Sequence, residues 1–368
     1  MPERVTANIP VFITHHPNGM PEERQRIIYQ RVYRSGINSV RFDIPWEEVV
    51  RERGKVNQQR LGHYLQARHL MLEEGLSEPT IILGTGIPNW AQKLSQQRPE
   101  EFLHSFAEYV YVVAEGFYKE NGKIKQIQMG NELNTKQETK FDVKFVPDLC
   151  FFTRLAFDDH NPNIKLSTTI MAGNGVSFGR HFGYSIGIMQ FLRAHREMLT
   201  ENFDVIGIDY YPTLWHIPLR EVGFNVFNFK KMARQVEPLK ELIKEVAPWR
   251  NSFGKRIKYE LSETGFPTHW PWGFGQKQQE EIQQDCYIDY MCALGQMFED
   301  FQKCGIHLPS RIGIYSAVDA SATKLWQRAA RRFLPYPEHD FGLMRQNCQP
   351  KLVLHHIPDL IQLFPLGS

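Results

Sequence analysis

Two short segments of the chain each place a glutamate directly after a run of strand-forming residues. The first reads GNE over 130–132, and the second reads SETGFP over 262–267. A pair of facing carboxyl groups can break a glycosidic bond, because one protonates the leaving oxygen while the other supports positive charge at the anomeric carbon. The two groups stand about 5 to 5.5 Å apart in retaining enzymes and about 6.5 to 9.5 Å apart in inverting ones. Glu132 and Glu263 are therefore candidates for glycoside chemistry if the fold brings them together.

The elements that would position these glutamates follow a regular alternation of short β-branched or aliphatic runs with longer amphipathic segments. This pattern is typical of βαβ units and a parallel sheet. The predicted strands are Val5–Ile13, Ser39–Ile44, Thr80–Gly84, Ile124–Met129, Lys165–Ile170, Val205–Tyr210, Arg256–Leu261 and Ile312–Ser316. The predicted helical segments include Pro21–Arg34, Gln59–Glu74, Glu100–Tyr118, Ser185–Leu199, Gln276–Phe301 and a terminal stretch near Leu352–Leu363. Eight such units predict an α/β fold of the closed (β/α)8 TIM barrel type, with 1–368 as a single domain.

Other α/β folds are disfavoured, because no GxGxxG follows the first predicted strand and no P-loop sequence occurs. The longest irregular stretch, at about 318–340, follows the last predicted strand. It therefore falls on the face where barrels of this kind carry their active sites.

In such a barrel the active site is built from residues at the carboxyl ends of the strands. Glu132 follows predicted strand four and Glu263 follows predicted strand seven. Glu260 competes with Glu263, because strand alternation places Glu260 on the polar phase with Lys258 and Ser262. Position favours Glu263, since three strand residues at about 3.3 Å each put Glu260 roughly 10 Å below the mouth. A bulge, or the end of regular pairing near Ser262, would reconcile phase with position.

With these motifs in strand order, the chain resembles the clan A glycoside hydrolases. The other matching segments are GINSVRFDIPW at 36–46, GIPNWA at 86–91, DVIGIDYYP at 204–212 and EHDFGL at 338–343. The segment at 204–212 is most similar to the endo-β-galactanase branch. The resemblance covers nearly the whole chain and implies a retaining glycosidase with a carbohydrate substrate, no cofactor and no metal.

The resemblance also implies roles for individual residues. It makes Glu132 the general acid/base and Glu263 the nucleophile. The residues with a predicted substrate-binding or supporting role are Arg41, Trp46, Trp90, Asn131, Tyr210, Tyr211, Trp270 and Trp272. By the resemblance, Arg41 and one of the two tyrosines would keep the nucleophile ionised, and Asn131 would bond the sugar 2-hydroxyl. The tryptophans are candidates because they follow predicted strands, where their rings would either stack on sugar rings or pack within the loops.

Two further features concern the rim of the predicted barrel. The chain departs from the clan at the end of strand eight, where Tyr315 stands in place of the usual tryptophan and Trp326 or Tyr336 could replace it. Four histidines that follow predicted strands could bond hydroxyls, namely His15, His16, His216 and His269. No HxH or HExxH spacing links them, so they do not indicate a metal site.

Composition disfavours several other classes of protein. The chain carries 43 basic and 41 acidic residues for a net charge of +2, so no strong field favours nucleic acid or an anionic membrane. The five cysteines show no CxxC and no zinc-finger spacing. No apolar run approaches the roughly 18 residues that span a bilayer. The sequence leaves open a cytoplasmic protein, as given, or a secreted one whose signal peptide has been removed, and it indicates no oligomeric state.

Three other functions stay open at this point. A transglycosidase shares the covalent intermediate and differs only in whether water or a sugar reaches it. A catalytically silent barrel that binds carbohydrate is disfavoured, because both glutamates are present with their expected neighbours Asn131 and Arg41. A metal-dependent barrel hydrolase would be inhibited by chelators.

Overall fold

The computed structural model describes residues 9–17, 19–119, 123–135, 141–158, 161–172, 188–212, 236–266, 268, 275–319 and 342–364. Within these ranges, eight parallel strands form a closed barrel in chain order, with the first strand pairing to the last. The predicted (β/α)8 TIM barrel is therefore confirmed.

The described elements alternate as the sequence predicts. The strands are β1 (Val11–Thr14), β2 (Ser39–Asp43), β3 (Thr80–Leu83), β4 (Gln126–Met129), β5 (Lys165–Ala172), β6 (Val205–Tyr210), β7 (Lys258–Thr264) and β8 (Ile312–Tyr315). The α-helices are α1 (Glu22–Arg34), α2 (Trp46–Val49), α3 (Gln58–Glu73), α4 (Asn89–Gln97), α5 (Pro99–Lys119), α6 (Val146–Asp158), α7 (Ile188–Ala194), α8 (Arg196–Asn202), α9 (Val236–Val246), α10 (Gln276–Lys303) and α11 (Ile357–Leu360). Short 3₁₀ turns lie at Val143–Phe145, Leu352–His355 and Ile361–Leu363.

Most boundaries differ from the sequence prediction by one or two residues, and three differences are larger. Strand β1 begins after Pro10, which has no N–H to donate to a neighbouring strand. The helix predicted over Ser185–Leu199 is two helices, α7 and α8, with His195 between them, and 185–187 lie outside the described residues. Strand β7 continues past Leu261 to Thr264, so Glu263 is part of the strand rather than of the loop after it.

The apolar core lies between the outer face of the barrel and the helices that surround it. Strand β3 is buried along its full length, as expected for a parallel strand covered on both faces. Helix α1 buries Ile28, Tyr29 and Val32, which lie on one face at helical spacing. In the described part of the chain, no helix is both long and apolar enough to cross a bilayer.

The lower part of the barrel interior is polar and holds a buried ion pair. Glu260 is fully buried, and its Oε2 accepts hydrogen bonds from Arg311 Nε at 3.0 Å and Nη2 at 2.9 Å. Gln126 Nε2 donates to the same carboxylate at 3.3 Å, and the Arg311 guanidinium lies 4.6 Å from the centre of the Phe12 ring. Glu260 is thus committed to the floor of the barrel, below the mouth where Glu263 lies.

Candidate active site

A bulge in β7 turns Glu263 into the barrel. Ile208 of β6 pairs with Leu261, but the next residue, Asp209, pairs with Glu263, so Ser262 is the extra residue. Pairing with β8 skips in the same place. Because one added residue inverts the alternation, Ser262 and Glu263 both face inward. The bulge anticipated from the conflict between phase and position is present.

Two glycines on the neighbouring strands leave room for this bulge. A Cβ on Gly207 of β6 would collide with the Ser262 side chain and with Thr169 Cγ2. A Cβ on Gly313 of β8 would collide with the Ser262 carbonyl and with the Phe12 ring. The glycine on each side is therefore what allows β7 to carry an extra residue at this level of the barrel.

The carboxylate of Glu263 is held by two buried donors. Arg41 Nη1 donates to its Oε1, and the Tyr211 hydroxyl donates to its Oε2. The Arg41 side chain is fully buried and that of Glu263 is 7% exposed, so this is an ion pair shielded from water. Burial, together with the charge of Glu263, raises the pKa of the Tyr211 phenol well above its usual value, so the phenol remains a donor. The arrangement fixes the orientation of the Glu263 carboxylate and gives it two charge-assisted hydrogen bonds.

Strand β5 serves as the template that positions Glu132. The Glu132 N–H donates to Thr169 Oγ1 at 2.9 Å, and the Leu133 N–H donates to the Thr169 carbonyl at 2.9 Å. Asn134 then exchanges two hydrogen bonds of 2.9 Å with the backbone of Met171. Glu132 itself has a φ of 47°, a left-handed conformation that is uncommon for a residue other than glycine. Such backbone persists where the surroundings enforce it, and here the contacts with β5 do so.

The amide of Asn131 is oriented by three donors. Its Oδ1 accepts from Arg41 Nη2 at 2.9 Å, from Gln128 Nε2 at 3.0 Å and from the Thr169 hydroxyl at 3.0 Å. Arg41 Nε in turn donates to Gln128 Oε1 at 2.7 Å. This network joins the support of Glu263 to the segment that carries Glu132, so the two glutamates are positioned by one connected set of side chains.

A third carboxyl group, Asp209, lies beside the two glutamates. One oxygen from each of Glu132, Asp209 and Glu263 lies within 4.8 Å of the other two. This spacing could accommodate a cation, but Arg41 already supplies a positive charge to the cluster, and we assign none of the three as a metal ligand. Burial, followed by the charge of Glu263, raises the pKa of Asp209 to about 8. The charged form of Asp209 is thus disfavoured where it lies.

Residues at the ends of β1, β2 and β8 form one side of the mouth. His16 Nδ1 lies 2.8 Å from Asp43 Oδ1, and the His16 ring meets the Tyr315 ring at 6.4 Å. Tyr315 also packs edge-on against Tyr211, with ring centres 5.9 Å apart. Tyr315 therefore contacts a residue that holds Glu263. His15 points away into the core, where burial lowers its pKa to about 3.

The structure separates the predicted binding residues into two groups. Arg41 and Tyr211 bond Glu263 and Asn131 bonds Arg41, whereas Tyr210 faces outward and is buried in the core. The prediction for Trp46 is wrong, because its ring is fully buried against residues such as Tyr109 and cannot stack on a sugar.

Of the three other predicted tryptophans, Trp90 lies among the described residues. Trp90 is half-buried near the carboxyl end of β3, with its indole N–H bonded to the Arg51 carbonyl at 2.9 Å. A sugar-binding role for Trp90 stays a prediction. Trp270 and Trp272 lie outside the described residues, as does 320–341, which includes most of the predicted long loop.

Sequence reasoning missed four residues of the site: Gln128, Thr169, Asp209 and Ser262. Each is a polar residue inside a strand that is otherwise buried. The sequence signal that could have revealed them is a polar residue at every second strand position. Gln126 and Gln128 alternate with Ile127 and Met129, and Asp209 lies on the same strand face as Tyr211. The alternation marks a polar barrel interior rather than an exposed strand face.

No protein-family model and no curated protein matches the chain. Solved structures do match it. A family 5, subfamily 18 glycoside hydrolase from Streptomyces cattleya, in complex with Manβ1-4GlcNAc, has a TM-score of 0.67 and 13% identity, over 98% of this chain and 83% of that one. A family 1 β-glucosidase from Thermotoga maritima has a TM-score of 0.63 and 14% identity, over 98% of both chains. A family 39 glycoside hydrolase from Bacteroides cellulosilyticus WH2 has a TM-score of 0.58 and 16% identity, over 97% of this chain.

These similarities define the class of fold. Families 5, 1 and 39 belong to clan A, so the chain has the barrel fold of the clan A glycoside hydrolases. The predicted resemblance to that clan is confirmed at the level of the fold, whereas the local similarity to endo-β-galactanases stays a prediction. The chain spans 64% of the length of the family 39 enzyme.

Proposed function

We propose that this chain is a retaining glycosidase that cleaves a β-linked glycoside or oligosaccharide. The observation that carries the proposal is the pairing of Glu132 with Glu263, whose nearest carboxylate oxygens lie within 4.8 Å of each other. This spacing favours the retaining geometry of about 5 to 5.5 Å over the inverting one of about 6.5 to 9.5 Å, which leaves room for a water molecule. The two donors on Glu263 support its assignment as the nucleophile of the pair.

In the first step, Glu263 attacks the anomeric carbon while Glu132 protonates the leaving oxygen. The bond from the anomeric carbon to the leaving oxygen breaks as an ester bond to Glu263 forms. Arg41 and Tyr211 hold the Glu263 carboxylate in one orientation, so little reorganisation is needed before attack. Asn131 donates from its Nδ2 to the sugar 2-hydroxyl in this proposal, which is supported by the orientation of its Oδ1 toward Arg41.

In the second step, Glu132 has lost its proton and serves as the base. It takes a proton from water, the water oxygen attacks the anomeric carbon, and the ester bond to Glu263 breaks. The negative charge then returns to Glu263, where Arg41 again compensates it. Two inversions give net retention of configuration.

The test is the configuration of the first sugar released. Proton NMR during hydrolysis of a panel that includes β-glucosides, β-mannosides and Manβ1-4GlcNAc distinguishes the anomers before they equilibrate. We include these sugars because similar structures are described as a β-glucosidase, as an exo-β-1,4-mannosidase and as a complex with that disaccharide. Initial release of the β-anomer is expected, and initial release of the α-anomer would contradict the double displacement.

Two alternatives are separated by simple controls. A sugar acceptor that diverts the product from free sugar to a new glycoside would indicate a transglycosidase, which uses the same intermediate. The spacing of the three carboxylates makes a metal-dependent hydrolase the second candidate. That candidate predicts loss of activity in a chelator, whereas the proposed mechanism predicts none.

The bulge supplies a prediction on activity. Gly207→Ala is expected to lower kcat about 10- to 100-fold, because the added Cβ would push Ser262 and Thr169 away and displace Glu263. A displacement of about 1 Å can cost about 10²-fold in rate. Steady-state kinetics give the measurement. Gly62→Ala in α3 is the matched control, since an added Cβ there meets no atom within 4 Å and alanine favours the helix. An unchanged kcat in Gly207→Ala would show that the bulge does not need this glycine.

A further inference from the structure

Asp209 is a buried carboxyl group that the two-glutamate mechanism leaves without a task. It has no exposed surface, and its Oδ1 accepts a hydrogen bond from the Ser262 hydroxyl at 2.6 Å. Its other oxygen, Oδ2, has no hydrogen-bond partner among the described residues. Ser262 is the extra residue of the bulge that turns Glu263 inward. Asp209 is therefore placed to support the nucleophile without reaching the substrate.

The charged groups that face Asp209 disfavour a second anion beside Glu263. Glu263 on β7 and Glu132 after β4 both have an oxygen within 4.8 Å of it. Tyr211, which follows β6, is a neutral phenol, and Arg41 on β2 is the cation that acts on Asp209 among the described residues. That guanidinium is already bonded to Glu263. A second ionised carboxylate in this buried cluster would have no cation of its own, which disfavours its charged form.

We propose that Asp209 is a third carboxyl group of the active centre, kept in its neutral protonated form, and that it positions Ser262 and Glu263 without taking part in the transfer. The charge argument rests on the proposed function. During glycosylation Glu263 becomes a neutral ester as Glu132 becomes an anion, so the two glutamates together carry one negative charge throughout. Asp209 keeps its proton in both states, and Arg41 always balances a single anion. The raised pKa of Asp209 noted above agrees with this state.

The direct test reads the protonation state without any substrate. In protein labelled with ¹³C at the aspartate carboxyl carbons, one resonance should titrate near pH 8, the value expected for Asp209, while aspartates in ordinary surroundings titrate near pH 4. The same resonance should disappear in Asp209→Asn. Infrared spectra at pH 6 should show a protonated carboxylic acid band that Asp209→Asn lacks. Titration of every aspartate in the acid range would overturn the proposal, and this measurement on the natural chain does not depend on the folding of a variant.

A kinetic test separates positioning from charge. Asp209→Ala removes the partner of Ser262 and should lower kcat about tenfold, and Asp209→Asn should recover most of that loss because an amide oxygen can still accept the bond. Exchange of one neutral group for another should leave the acid limb of the pH profile of kcat where it was. Movement of that limb to lower pH in Asp209→Asn would mean that Asp209 is an anion and would overturn the proposal.

The two proposals fail in different ways. A protein that hydrolyses no glycoside but shows an aspartate titrating near pH 8 would contradict the glycosidase function and leave the neutral Asp209 established. A retaining glycosidase in which Asp209 is ionised at pH 6 would support the glycosidase function and contradict the neutral Asp209.

Discussion

Replacement of Glu263 by glutamine is expected to lower kcat by about 10⁵-fold, with binding of the sugar largely kept. An amide is a poor nucleophile and cannot form the ester intermediate, and removal of a nucleophile in other enzymes costs on the order of 10⁵- to 10⁶-fold. The measurement is hydrolysis of the best substrate from the panel, with calorimetric titration to follow sugar binding. Circular dichroism confirms that the variant is folded.

Glu260→Gln is the matched control for this prediction. Glu260 is on the same strand, is also buried and also pairs with an arginine, but it lies on the barrel floor with Arg311. We expect the kcat of the Glu260→Gln variant to stay within about threefold of the kcat of the unsubstituted protein. Its free energy of unfolding should fall by about 2 kcal/mol, less than for a fully buried pair because the Arg311 side chain is 19% exposed. An inactive Glu260→Gln variant together with an active Glu263→Gln variant would make Glu260 the nucleophile and contradict the assignment of Glu263.

Loss of Glu132 is expected to depend on the leaving group, which is the second large effect. Glu132→Ala should lower kcat/KM about 10³-fold for a natural glycoside, whose leaving oxygen needs a proton. An activated aryl glycoside needs little protonation, so its first step should stay fast while water, without a base, attacks the intermediate slowly. The covalent intermediate should then accumulate, and kcat and KM should fall together.

Azide provides the check on this second prediction. As an anion it attacks without a base, so it should raise the kcat of Glu132→Ala on the activated substrate and yield a β-glycosyl azide. The original protein, which has its base, should not respond. Equal losses on activated and natural substrates, with no response to azide, would show that Glu132 is not the acid/base.

The sequence was sufficient for the barrel because the relevant signals are local and repeated. Each strand is a short segment that contains β-branched or aliphatic residues and is buried along nearly all of its length, and the pattern recurs in chain order until the barrel closes. The same order placed Glu132 and Glu263 at strand ends. The sequence also showed that regular strand alternation would turn Glu263 away from the barrel interior, although its position at the strand end favoured it as the nucleophile.

What the sequence could not provide was the resolution of that conflict in three dimensions. The bulge exists because Gly207 and Gly313 leave space beside Ser262, and these glycines are distant in the chain. Trp46 was predicted to bind sugar from the sequence, but it does not reach the site. Pro45 precedes a short helix that turns the Trp46 indole into the core under α5. Asp209 was overlooked because a lone acid in a strand has no meaning until its neighbours across the barrel are known.

The most direct test of the central claim is to trap the intermediate. Activated 2-deoxy-2-fluoro β-glycosides of the panel sugars should react once and stop, because the fluorine slows both steps while the good leaving group keeps the first one fast. Intact-protein mass spectrometry should then show one added sugar, and digestion should map it to Glu263. A label on Glu260 would contradict the assignment of the nucleophile, and hydrolysis of the matching glycoside with no label at all would contradict the covalent mechanism.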